Sequence, residues 1–346
     1  MRVWLGFTFC AVLGACGGGG ADGVDGARAD GLAGGDGASA SWTVIHQDLR
    51  PALMSVWGTS ATNVYAVGGD PDATGPAVLH WDGATWTQLE TGDTGDLWWV
   101  FGFEGGPVYM GGQNGRIQRY ADGTFTPMTT PSTGTVFGIW GASPTDVWAV
   151  GGAEGGASGA FAWRLVGDAW VAAEGFPAEI TERAVLWKVA GTGADDVVMV
   201  GTGGAAVTWD GDGFTVDDLG VGESLFTVAT QGERVVAVGG FATGLVMERT
   251  AGGWEDHAPS GAAGMIGVSL APGGGGIVVG SFGEVLESTG GEWQSAPGPA
   301  TEESLHAVWI DPDGGAWTVG GQVQAFPLIH GVLAYRGSMN VEGEIQ

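Results

Sequence analysis

Apolar and polar positions along this chain alternate in short bursts, with almost no helical spacing. LMSVW (Leu53–Trp57) is followed by a polar turn and then by NVYAVGG (Asn63–Gly69), a β-branched and aromatic run that closes on glycine. The same pairing returns as LWWVF, as GIW with DVWAVGG, and as LHAVW. Such runs, bounded by Gly, Asn, Asp and Pro, predict β-strands. A third run in each unit ends in WDGATW, YADGTF, WDGDGF or TAGGW. Asp-Gly and Gly-Gly supply the positive φ of tight primed turns, so these are antiparallel hairpins. Only PAEITERAVLW, residues 177–187, has room for a helical turn.

The units align in columns. SVWGTSATNVYAVGG (Ser55–Gly69) and GIWGASPTDVWAVGG (Gly138–Gly152) share nine of fifteen residues. Val56, Val100, Ile139, Val189, Val228, Val268 and Val308 begin the pattern. Three residues before them stand Leu53, Leu97, Val136, Leu186, Leu225, Met265 and Leu305. A glycine follows each: Gly68, Gly111, Gly151, Gly201, Gly239, Gly280 and Gly320. Their spacings of 43, 40, 50, 38, 41 and 40 residues match a four-stranded propeller blade.

An aromatic opens the fourth strand in six units: Trp86, Phe125, Trp170, Phe214, Trp254 and Trp293. The last unit has none, whereas SWTVI (Ser41–Ile45) resembles a fourth strand placed ahead of the first unit. The expectation is an all-β, seven-bladed β-propeller over residues 41–337, closed by an N-terminal strand with Trp42 in the seventh aromatic place, and a C-terminal tail over 338–346. Seventy glycines would suit a disordered chain, but the regular apolar strands between them argue against it.

The VWG and DVYAVG cores and the WDG-x-x-W turns resemble those of the seven-bladed propellers of bacterial surface lipoproteins, and more loosely the sialidase-repeat and photosystem-assembly-factor-like propellers. The chain's start fits that resemblance. Arg2, the apolar run Val3–Leu13 and the small residues before Cys16 have the layout of a secretory signal too short to be a permanent span. Leu13-Gly14-Ala15-Cys16 resembles a lipobox, which implies a signal peptide over 1–15 and lipidation at Cys16. Two acyl chains and a third on the amine would anchor stably. An ordinary signal with a chance cysteine is the alternative. Gly17 after the lipid cysteine implies an outer-membrane destination in the bacterial cell envelope. Residues 16–40, rich in Gly, Asp and Ala, predict a flexible tether.

Eleven basic against 39 acidic residues give a net charge of −28. That field repels phosphate backbones and anionic lipid, so nucleic acid is not expected as a partner, nor a membrane except through the lipid. Cys10 and Cys16 both lie in the leader, which leaves the domain without a disulfide or a thiol site.

A sialidase-type centre needs an arginine cluster, a tyrosine nucleophile and intact Asp-box turns, and the chain carries none of these in intact form. D-P-D-A-T-G (Asp70–Gly75) opens like a calcium loop, but Trp81 stands where its glutamate belongs. Five scattered histidines offer no ligand spacing, so neither a metal nor a cofactor is expected. The glycine runs at Gly201 and Ala271 lack the lysine and helix of a phosphate loop.

The long loops Gly69–Pro76, Gly152–Gly159 and Gly321–Gly331, with the inter-blade segment Ala172–Ala184, mark one face as the place for a ligand. The candidates there are Asp70, Asp72 and Glu154, together with Lys188, Trp98 and Trp99 near the axis. Lys188, the only lysine, could face an acidic ligand; an ion pair with a neighbouring carboxylate or plain solvation is the simpler reading. The two tryptophans could stack a sugar or pack between blades. The function expected is a monomeric, lipid-anchored binding or scaffolding module for an envelope protein or glycan, without catalysis. The alternative is a carbohydrate-active enzyme using carboxylates of the loop face.

Overall fold

The structure, a computed structural model, describes residues 41–153 and 158–346. Cys16, the signal, the tether and Glu154 lie outside the described residues. Seven sheets of four antiparallel strands form the domain. Six are built from consecutive strands, with innermost strands at Leu53–Ser60, Leu97–Gly102, Thr135–Ser143, Leu186–Gly193, Leu225–Gln231 and Met265–Leu270. The seventh has its innermost strand at Ser304–Ile310, and its outer edge is the N-terminal strand Trp42–Leu49 laid on Ile329–Arg336. Each innermost strand packs on those of the neighbouring blades around a common axis, so we number the blades one to seven in that order.

The closure matches expectation residue by residue. Trp42 pairs with Arg336, as Trp86 pairs with Trp81, Phe125 with Tyr120, Trp170 with Leu165 and Phe214 with Trp209. The Arg336 guanidinium lies 5.2 Å from the Trp42 ring centroid and is ion-paired with Glu287 of blade six. The C-terminal residues pack onto blade one: Val341 is buried, Ile345 bridges Trp86, and the Gln88 N–H donates to the Gln346 carbonyl at 2.9 Å.

The glycine column has a steric cause. A bulge follows the first residue of each innermost strand and brings the preceding carbonyl against the second strand. A Cβ on Gly68, Gly151, Gly201, Gly239 or Gly320 would lie 1.9 to 2.1 Å from that oxygen. These positions need empty space, and Gly201 itself is extended, at φ −165°. In blade two the equivalent residue is Gly112 and not Gly111: Gly112 pairs with Leu97, and its Cβ would meet the Asp96 carbonyl at 2.2 Å. Gly111 faces Val136 of blade three instead, for a different reason of fit.

The recurring Trp-Gly pair explains how blades dock. A Cβ on Gly58 would meet the Trp309 ring of blade seven at 2.8 Å, one on Gly102 the Trp57 ring at 2.8 Å, and one on Gly191 the Trp140 ring at 2.5 Å, and each would also meet a carbonyl of its own blade, those of Asn63 (2.5 Å), Pro107 (2.9 Å) and Asp196 (2.7 Å). Each tryptophan therefore lies flat over a bare stretch of backbone in the next blade. Where the donor position is small the receiver is large. The Thr230 hydroxyl donates to the Gly191 carbonyl at 2.5 Å, Ala229 packs on the cluster containing Leu270, and the Ile310 N–H donates to the Ser269 hydroxyl at 3.1 Å.

The helix expected near 177–187 forms over Ala178–Arg183, and its Ile180 is fully buried against blades three and four.

Candidate functional site: the loop face and the mouth of the axis

An up-and-down blade places its second-to-third-strand loop at the same end as the connection to the next blade, and the hydrogen bonds agree. Gly159 N–H donates to the Thr181 carbonyl (2.7 Å), Gly204 to Glu223 (2.8 Å), Gly244 to Ala262 (2.9 Å) and Ser281 to Gly264 (2.9 Å). These loops knit into one continuous face.

Beneath it, the bulged residue of each innermost strand points to the axis: Met54, Trp98, Phe137, Trp187, Phe226, Ile266 and His306. Trp98 meets Phe137 edge-on at 5.1 Å, Phe137 meets Trp187 at 4.6 Å, and Trp98 approaches His306 at 6.4 Å. Met54 is fully buried with Val323 and Leu328, and Trp98 packs against them. These aromatics narrow the axis, an arrangement with a signal in the sequence: one column of large side chains immediately after the first residue of each unit.

Lys188 sits below this ring and is only 3 % exposed. It is shielded from solvent, and among the described residues it has no carboxylate partner, which corrects both simple readings of it. Among the described residues its partners are the Phe137 carbonyl, to which its Nζ donates at 2.9 Å, and the Trp99 ring, whose centroid is 4.4 Å away. Trp99 in turn donates its indole N–H to the Ile139 carbonyl at 2.9 Å, so it serves as a floor for the ammonium. Burial pushes the Lys188 amine down to about 7. Burial, reinforced by the Lys188 charge, pushes His306 down to about 3, so His306 is neutral and its Nδ1–H donates to the Met54 carbonyl at 2.5 Å.

A stability prediction follows. Between pH 7 and 10.5 the unfolded chain holds a proton on Lys188 that the folded one releases, so stability rises with pH across that window. The full span corresponds to roughly 5 kcal/mol as an upper bound. Lys188→Met should therefore be the more stable protein at pH 7, with its advantage shrinking steadily towards pH 10. Urea unfolding at a series of pH values reads this directly, and parallel curves for the two proteins would refute it.

The acidic candidates fall at the junction of blades one and two. Asp70 accepts N–H bonds from Thr74 (2.9 Å) and Gly75 (3.0 Å) on one oxygen and from Gly95 (2.8 Å) on the other. Asp72 holds Arg50 through two bonds, of 3.0 and 2.6 Å, at an exposed site. Asp96 is buried, and accepts the Asp70 N–H (2.7 Å) and the Gln113 amide (2.8 Å); burial first, then the Asp70 charge, raise its carboxyl above the usual range. Arg116 reaches the carbonyls of Thr94, Gly95 and Asp96 and the Asp93 carboxylate. These groups brace loops, and their oxygens are engaged with each other and with backbone. The structure thus brings Lys188, Trp98 and Trp99 together near the axis and leaves Asp70 and Asp72 in a separate cluster.

Three large side chains that the sequence reading did not single out dominate the exposed face: Phe241 (65 % exposed), Phe282 (77 %) and Phe326 (69 %), on the second-to-third-strand loops of blades five, six and seven. Among the described residues no group of three or more His, Cys, Asp or Glu side chains could hold a metal ion.

No protein-family model matches the sequence, and no curated protein sequence matches it. Solved structures do match in fold. The WD40 propeller domain of Doa1 superposes with a TM-score of 0.66 at 13 % identity, covering 86 % of this chain and 98 % of that one. Streptogramin B lyase gives 0.67 at 11 %, covering 84 % and 97 %. YCF48 bound to D1 peptide gives 0.63 at 15 %, covering 88 % and 98 %. At these identities the likeness establishes the seven-bladed propeller alone.

Proposed function

We propose that this protein is a lipid-anchored module of the bacterial cell envelope, destined for the outer membrane, that binds a protein partner on its loop face. The observation that carries the reading is the make-up of that face: the Asp70 and Asp96 carboxylates are spent on bracing loops, while large aromatic side chains stand free in the solvent. A surface of that kind suits recognition better than acid–base chemistry, which needs carboxylates aimed at open space. The fold neighbour bound to a D1 peptide is a propeller with a peptide ligand, in keeping with this reading.

The anchoring half is tested by Cys16→Ser, which should move the protein from the membrane pellet to the soluble fraction and abolish metabolic labelling by palmitate. Retention of both would remove the anchor. The binding half is tested by a photo-crosslinking residue placed at Gln322 on the loop face or at Val166 on the outer rim. A discrete adduct from Gln322 and none from Val166 is expected, and the reverse pattern would overturn it.

A further inference from the structure

The three exposed phenylalanines occupy one continuous arc. The Phe241 carbonyl lies against Gly264, where a Cβ would meet it at 2.6 Å; the Gly264 carbonyl accepts the Ser281 N–H at 2.9 Å; and the Ser281 hydroxyl accepts the Gln324 amide at 3.2 Å. One chain of contacts thus joins the loops of blades five, six and seven. The Phe241 ring also meets Phe226 at 4.9 Å, so the arc runs inward to the aromatic residues around the axis.

Phe282 is held at a cost. It is the middle residue of the Ser281–Gly283 turn, with φ 59° and ψ 31°. The matching turn of blade four, Thr202–Gly204, has Gly203 at φ 62° and ψ 36°, and blade two has Asn114 at φ 59°. Glycine and asparagine tolerate this left-handed conformation, whereas a bulky aromatic there is strained. Phe282 is therefore both strained and bare to water, at a position where glycine would serve the fold better. Strain of this sort persists where a side chain is wanted for something other than folding.

The surroundings select the occupant. The loops flanking the arc, over residues 50–52, 217–224, 240–244, 257–264, 281–284, 297–303 and 322–328, contain six carboxylates and one basic residue, Arg50, whose charge is already paired with Asp72. Asp218, Glu223 and Glu302 among them are exposed, and Glu284 and Glu303 half-exposed. Apolar rings within an acidic rim complement a segment that is basic and apolar together, and the acidity of the whole chain would speed its approach. We infer that the arc formed by Phe241, Phe282 and Phe326 is the docking site for a partner polypeptide segment carrying Arg or Lys interleaved with large apolar side chains. This rests on the partner-binding reading above and gives the partner its chemistry.

A random peptide library selected against the full chain should return sequences in which Arg or Lys alternates with Leu, Phe or Trp. The strongest of these should bind the Phe282→Gly, Phe326→Ser double variant at least about tenfold more weakly. Phe282→Gly alone relieves the backbone, so its Tm should hold or rise while binding falls, which separates loss of the site from loss of the fold. Acidic or purely polar selected sequences would overturn the inference, as would unchanged binding by the double variant. So would sedimentation showing a dimer that the same variant dissolves, or binding to phosphatidylcholine vesicles that it abolishes. Peptides lost on substitution of Arg50 or Asp72 in place of the phenylalanines would keep the partner-binding reading and sink this one. The same holds for a chain that yields no peptide yet cross-links from Gln322.

Discussion

Removal of residues 41–49 is expected to leave a protein that does not hold its ring. The deletion strips the partner from Ile329–Arg336, which becomes an open sheet edge at the seam. It also uncovers two apolar clusters. Trp42 packs on the group containing Ile277, Val285, Leu305 and Val308, and Ile45 and Leu49 pack on the group containing Trp317, Leu333 and Tyr335. These side chains are only partly buried, so each contributes about 1 kcal/mol. With the lost ladder and the exposed edge, the total reaches at least about 5 kcal/mol, against a typical domain stability of 5–15 kcal/mol. Circular dichroism and gel filtration of the truncated chain should show loss of cooperative melting and association into larger species. The separate peptide WTVIHQDL supplied in excess should restore part of the melting transition. A truncated chain that stays monomeric with an unchanged Tm would show that the seam does not depend on this strand.

The second large effect concerns the ring-over-glycine junctions. Gly191→Leu should destabilise by about 3 kcal/mol or more, since even a Cβ at that position would lie 2.5 Å from the Trp140 ring. Trp140→Ala should cost a similar amount by opening a void. The double variant rebuilds the junction in the form found between blades five and six, where Ala229 packs on the cluster containing Leu270. It should recover part of the loss, a coupling of about 1 kcal/mol in a double-mutant cycle, the remainder coming from the Asp196 carbonyl, which lies 2.7 Å from the same Cβ. Additive losses would mean that the two positions do not share one volume.

The repeat made the architecture readable because each blade restates the same steric demands: a bulge that needs a bare glycine, a primed turn that needs Asp-Gly, an outer strand that opens on an aromatic. Trp42 could be placed in the seventh blade because its absence from the last unit and its presence before the first were both visible as letters. Gly111 was mistaken for Gly112 because two adjacent glycines fit the column equally well, and only the bulge at the start of Leu97–Gly102 decides between them. Lys188 was harder. Its partners are a main-chain carbonyl and the flank of a ring, and a carbonyl is the same in every residue. Phe282 was legible only in part. The turns Q-N-G, T-G-G and S-F-G fall at equivalent places in blades two, four and six, but a positive φ is a property of backbone and leaves no letter of its own.

The junctions also divide the ring into a half joined through aromatic rings and a half joined through small and aliphatic side chains. From blade seven round to blade four, indole and phenyl rings are wedged over the next strand. From blade four round to blade seven, alanine and serine meet threonine, leucine and isoleucine. The phenylalanine arc rides on the second half. The three phenylalanines therefore stand on blades that meet through small and aliphatic side chains, apart from the aromatic-wedged blades that make up the rest of the ring.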